Sequence, residues 1–141
     1  MTVRNAKAAW EGSLKEGKGS MELGSGAFKG AFSFATRFEE TPGTNPEELI
    51  GAAHAGCFSM ALSADLGRAG FTPNRIQTIA QVTLGTLEGK ARITGVHLDC
   101  EAEVPGISPE QFAQIAEGTK SGCPVSAALA AVPITLNARL V

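Results

Sequence analysis

Three thiols are the reactive groups in this sequence: Cys57, Cys100 and Cys123. An odd number with no close pair argues against a structural disulfide framework. With only His54 and His97 beside them, and no Cys-x-x-Cys, a zinc site has little to build on. No zinc centre is therefore expected. The remaining chemistry of a cysteine is that of its thiolate, which attacks electrophilic oxygen or sulfur. Cys123 has the clearest local physics. It precedes Pro124 at an expected helix start, where unpaired N–H groups and the helix dipole favour a thiolate. Cys57 lies mid-helix, beyond the reach of the dipole and without a cation among its helix neighbours. Local chemistry alone reads it as a small buried hydrophobe. Cys100 shares a strand face with Leu98 and Ala102 and reads as core. His54 is a possible base but reads first as a satisfied or interface histidine, and His97 reads as exposed.

If Cys57 reacts, its activating charge must come from elsewhere in the fold, and Arg37 is the natural candidate. Two carboxylates follow. Glu48 has the position of a capping-box acid, leaving Glu47 free for another task. Glu47 precedes Cys57 by ten residues (57 − 47), about 15 Å along a helix, too far for the two side chains to meet within one subunit. If Arg37 and Glu47 serve Cys57, they are expected from a partner chain, and the site would straddle a dimer interface.

The elements that must hold these groups can be read from pattern and punctuation. Residues 6–12, 18–23 and 31–38 read as a three-strand meander bounded by Gly17, Gly24 and Gly26, with Arg37 closing the third strand. Asn45, Pro46 and Glu48 then form a complete helix start. That helix runs to a stop at Gly70 and is apolar or small around almost its whole circumference, the mark of a buried helix. A hairpin follows, turning at Glu88-Gly89-Lys90. Val96, Leu98, Cys100, Ala102 and Val104 share one parity on its return strand, over residues 91–104. Ser108 caps a helix ending near Gly122, Cys123-Pro124 opens a short one to about Ala131, and Ile134, Leu136, Ala138 and Leu140 alternate in a last strand. The order βββ-α-ββ-α-α-β is an α+β fold, expected as one domain over residues 1–141 with antiparallel sheets around a buried central helix.

Several partner classes are disfavoured by composition. A formal charge of −2 provides no basic excess for phosphate backbones, so no nucleic acid partner is expected. No window was expected to reach the roughly 20 apolar residues of a membrane span, so no membrane association is expected. The first ten residues lack the apolar stretch of a secretory leader. The expected location is cytoplasmic.

Two segments together resemble the OsmC/Ohr family, the osmotically inducible and organic hydroperoxide resistance proteins. They are Gly43-Thr-Asn-Pro-Glu-Glu-Leu-Ile-Gly-Ala-Ala-His-Ala-Gly-Cys57-Phe-Ser-Met-Ala-Leu and Lys120-Ser-Gly-Cys123-Pro-Val-Ser126. Their spacing (123 − 57 = 66) and the Gly70-Phe-Thr-Pro between them resemble the OsmC branch, over essentially the whole chain. The resemblance implies an intertwined homodimer that reduces hydroperoxides, organic ones above all, without a prosthetic group. It makes Cys57 the peroxidatic thiol and Cys123 the resolving one, with a disulfide between them. Glu47 matches the carboxylate that orients Arg37, which in turn holds the thiolate. An external dithiol or lipoylated protein is the implied reductant. Phe38, Phe58 and Met60 are candidates for apolar surface near the substrate, or plain core. Two other readings use the same residues: a thiol redox sensor without useful turnover, and a non-catalytic interaction dimer.

Overall fold

The computed structural model describes residues 1–141 and contains two compact units, Met1–Leu49 and Ile50–Val141. In the first, β1 (Ala6–Glu11), β2 (Lys18–Leu23) and β3 (Lys29–Phe32) form an antiparallel meander in that order. Gly19 faces both Trp10 and Phe32 across the ladder, and a side chain there would strike both rings. Its absence lets the two aromatics meet with centroids 5.3 Å apart, a favourable tilted contact.

One element differs from the sequence expectation. Residues 31–38 are not a strand throughout: β3 stops at Phe32, and Phe34–Phe38 form a short helix, α1. The cause is a reciprocal cap. Ser33 Oγ accepts from the Thr36 N–H (3.3 Å) and Thr36 Oγ1 accepts from the Ser33 N–H (2.9 Å). Threonine here takes the place of the usual Glu or Gln, which is why the pattern was missed. Arg37 therefore sits on a helix turn rather than at a strand end.

Helix α2 (Pro46–Arg68) starts as expected, with Asn45 Oδ1 accepting from the Glu48 N–H at 2.8 Å. It ends in a Schellman turn: Phe71 N–H donates to Leu66 O (2.9 Å) and Gly70 N–H to Gly67 O (3.0 Å). Gly70 has φ +92°, the left-handed conformation that favours glycine. By length and composition α2 could cross a membrane, with a mean hydropathy of 1.3 over 18 residues. The expectation that no segment would do so is thereby corrected.

In the second unit β4 (Arg75–Leu87) and β5 (Lys90–Glu103) pair antiparallel. Helices α3 (Pro109–Gly122) and α4 (Pro124–Ala128) lead to β6 (Ile134–Leu140). β6 pairs with β5 in parallel, Val96 opposite Ile134 through Ala102 opposite Leu140. The expectation of purely antiparallel sheets fails here, because α3 and α4 carry the chain back to the starting end of β5, as a parallel neighbour requires. The core gathers His54, Phe58, Leu62 and Leu66 from α2, spaced four residues apart, with Val96, Leu98, Cys100 and Ala102 from β5 and Phe112 and Ala116 from α3. Only one face of α2 is covered this way. Ala52, Ala53, Gly56, Met60, Ala64 and Gly67 remain exposed in a single chain, so the expected burial of the central helix is met on one side.

Candidate functional site

The two motif cysteines come together in the second unit. Cys57 is half-buried on α2, and Cys123 is buried as the N-cap of α4. Both are free thiols, and each shifts the acidity of the other. The opening turn of α4 serves both. Ser126 N–H donates to Cys123 Sγ at 3.4 Å, and the Val125 backbone favours the Cys57 thiolate. Pro124, the first helical residue, has no N–H to offer and sets the turn for its successors.

The electrostatics of the two thiols differ. Burial pushes the Cys57 thiol above its ordinary value; the Val125 backbone opposes this and Cys123 adds to it. No charged side chain of the second unit acts on it. Burial works against the Cys123 thiolate too. Its hydrogen bonding with Ser126, and the influence of Cys57 and of the Val125 backbone, outweigh it, leaving that thiol below its ordinary value. Within one chain Cys123 is thus the readier thiolate, in line with the local sequence reading. Cys100 is fully buried, its thiol raised by burial, and belongs to the core as expected.

The other two expected site residues meet in the first unit. Arg37 Nη2 donates to Glu47 Oε1 at 2.8 Å, and its Nε donates to Oε1 at 3.1 Å and Oε2 at 3.3 Å. The loop between them is drawn in by Thr36, whose hydroxyl donates to Thr44 O (2.8 Å) while Asn45 Nδ2 donates to Thr36 O (3.1 Å). Glu47 is buried and spent on this pair, whereas Glu48 accepts from the Asn45 side-chain amide rather than from the Asn45 backbone N–H of a full capping box. A two-point grip fixes the plane of a guanidinium and leaves its remaining N–H free to meet an anion. Arg37 also borders a cavity of about 250 Å³ walled by Trp10, Leu14, Phe32, Phe34 and Phe38. Of the three expected apolar residues, Phe38 lines this cavity, Met60 lies exposed on α2, and Phe58 is fully buried core.

Sequence reasoning undervalued one residue, His54. It is fully buried, with Nε2 2.7 Å from Ser126 Oγ, a link across 72 positions that no local pattern could reveal.

The sequence profile described as OsmC-like protein matches residues 38–137, from just after Arg37 into the last strand. The chain belongs to the OsmC family. It is 50% identical over 142 residues to the peroxiredoxin OsmC of Escherichia coli K12, covering 99% of each chain. Its fold superposes on the organic hydroperoxide resistance protein OhrB of Bacillus subtilis with a TM-score of 0.75 at 24% identity, covering 96% of this chain and 98% of that one. An OsmC-like protein of unknown function from Vibrio cholerae gives 0.78 at 17% identity, covering 99% and 100%. At such identities these two likenesses establish the OsmC fold, while the Escherichia coli relative carries the family membership across the whole chain.

Proposed function

We propose that this protein is a thiol peroxidase that reduces hydroperoxides, organic ones preferentially. Turnover runs through a Cys57 sulfenic acid and a Cys57–Cys123 disulfide. The observation that carries this reading is that the two motif thiols, on α2 and α4, lie close enough to shift each other's acidity, in a chain half identical to a peroxiredoxin. The Cys57 thiolate attacks a peroxide oxygen, forming an S–O bond as the O–O bond breaks. The departing alkoxide takes a proton and leaves as an alcohol, or as water when the substrate is hydrogen peroxide. Cys123 then attacks the sulfenic sulfur, releasing water and closing the disulfide before further oxidation. An external dithiol, small or lipoyl-borne, reopens it by exchange.

Because burial holds the Cys57 thiol up, the peroxidatic step needs a cation. Arg37, clamped by Glu47, is the group suited to supply it. The two carriers, Glu47 and Cys57, are ten residues apart on one helix, so the cation comes from a partner subunit packed on the open face of α2. The homodimer is thus the catalytic unit. The aromatic cavity beside Arg37 suits an apolar peroxide tail, and the site of action is the cytoplasm, where a thiol–disulfide cycle can be kept reduced.

Reduced protein mixed with an organic hydroperoxide and excess dithiol should consume many equivalents of peroxide, and none in Cys57→Ser. Consumption that stops near one equivalent would instead mark a redox sensor. Without dithiol, Cys123→Ser should react once and then gain the oxygen mass of a sulfinic acid on Cys57, readable by intact mass spectrometry. A Cys123→Ser protein that stays at the sulfenic stage under excess peroxide would remove Cys123 from the resolving role.

A further inference from the structure

Cys123 is the end of a buried chain of three groups. Its Sγ donates to Ser126 Oγ at 3.4 Å, and Ser126 Oγ lies 2.7 Å from His54 Nε2. Cys123 and His54 are 0% exposed and Ser126 2%, so no water competes for these bonds. With the thiol donating to Ser126, the Ser126 hydroxyl is left to donate to His54. In that arrangement Nε2 is the bare, accepting nitrogen of the ring and Nδ1 the protonated one. Nδ1 is buried without any partner. A buried ring nitrogen left unpaired costs stability, so the fold holds this imidazole in place at a penalty, with its open lone pair aimed at Ser126.

We propose that Ser126 and His54 form a proton relay that takes the Cys123 proton as the disulfide closes. As Cys123 Sγ attacks the sulfenic sulfur of Cys57, the S–S bond forms and the S–O bond breaks. The Cys123 proton passes to Ser126 Oγ while the Ser126 proton passes to His54 Nε2. The departing hydroxide takes a proton from solvent, and the imidazolium later returns its proton there, so the net product is one water. Burial lowers the affinity of His54 for a proton. The ring therefore rests neutral and able to accept, and releases its proton readily once the step is over. Ser126 touches the reacting sulfur; His54 acts through it. The relay rests on the assignment of Cys123 as resolving thiol, and it adds what that assignment lacks, a destination for the thiol's proton in a dry site.

The test follows the two chemical steps separately by rapid mixing with one equivalent of an organic hydroperoxide. His54→Gln retains an amide oxygen that can accept from Ser126 but cannot carry a proton. It should leave Cys57 oxidation at the wild-type rate and slow disulfide closure by about 10²-fold, the usual scale of lost general-base help. The sulfinic fraction should rise with it. Wild-type closure should also show a solvent deuterium isotope effect that His54→Gln loses, which a purely structural defect would not produce. Disulfide closure at the wild-type rate in His54→Gln would overturn the relay. If His54→Gln melts early, Ser126→Ala breaks the same chain with a smaller change, and unimpaired closure there overturns the relay equally. Failure of the underlying assignment is distinguishable, because Cys123→Ser would then not over-oxidise.

Discussion

Chains carrying Arg37→Ala, unfolded and refolded with an equal amount of chains carrying Cys57→Ser, are expected to regain peroxidase activity that neither possesses alone. Random pairing makes half the dimers mixed, and each mixed dimer holds one complete site of two, so recovery should approach about a quarter of wild type. The expectation rests on the separation of duties between the two units. Arg37 and Glu47 form their clamp in the first, and the thiols pair in the second without a charged neighbour there. The pH profile supplies an independent check. A thiol is a nucleophile only when deprotonated, and burial holds that of Cys57 above its ordinary value. With Arg37 replaced by Ala, the rate of Cys57 oxidation should therefore be low near neutrality and rise with pH as the thiolate fraction grows. Wild type should reach its plateau at lower pH. No recovery on mixing would place the cation within the same chain as the thiol it serves.

Gly56→Leu should turn the protein into a monomer and abolish turnover while leaving the single chain at least as stable. A side chain built at Gly56 meets nothing within 4 Å in one chain. Removing a mid-helix glycine also relieves a helix penalty of roughly 0.8–1 kcal/mol. The isolated fold therefore has no reason to object. A second copy packed on the small residues Ala52, Ala53, Gly56 and Ala64 would, since an inserted side chain in a close-packed contact forces the surfaces apart. Sedimentation velocity gives the mass, circular dichroism the melting temperature and peroxide consumption the turnover. A dimeric, fully active Gly56→Leu protein would locate the interface elsewhere.

Much of this site was legible before any coordinates, and the parts that were not have physical reasons. The start of α2 was readable because Asn45, Pro46 and Glu48 each answer a local need of a helix terminus. The core face of β5 was readable because alternation is a local pattern, and Cys123 because a helix start is a local event. Helix α1 was missed because its cap uses Thr36 in place of an acid. The parallel placement of β6 was missed because pairing direction depends on where two helices leave the chain. Cys57 looked inert locally, and within one chain its thiol is indeed the less acidic of the pair. Its importance came from the resemblance of the two motifs. His54 was undervalued because its partner lies 72 residues away.

The raised thiol of Cys57 has a consequence for the protein's life before assembly. On the proposed reading, a lone chain would carry Cys57 as a thiol held protonated by burial and slow to react. If the cation is supplied by a second copy as proposed, reactivity should switch on when two chains meet, and specific activity should fall on dilution below the dimer's dissociation constant. A sulfur kept quiet until a partner arrives would also be protected from irreversible oxidation during folding, when no complete site would exist to recycle it.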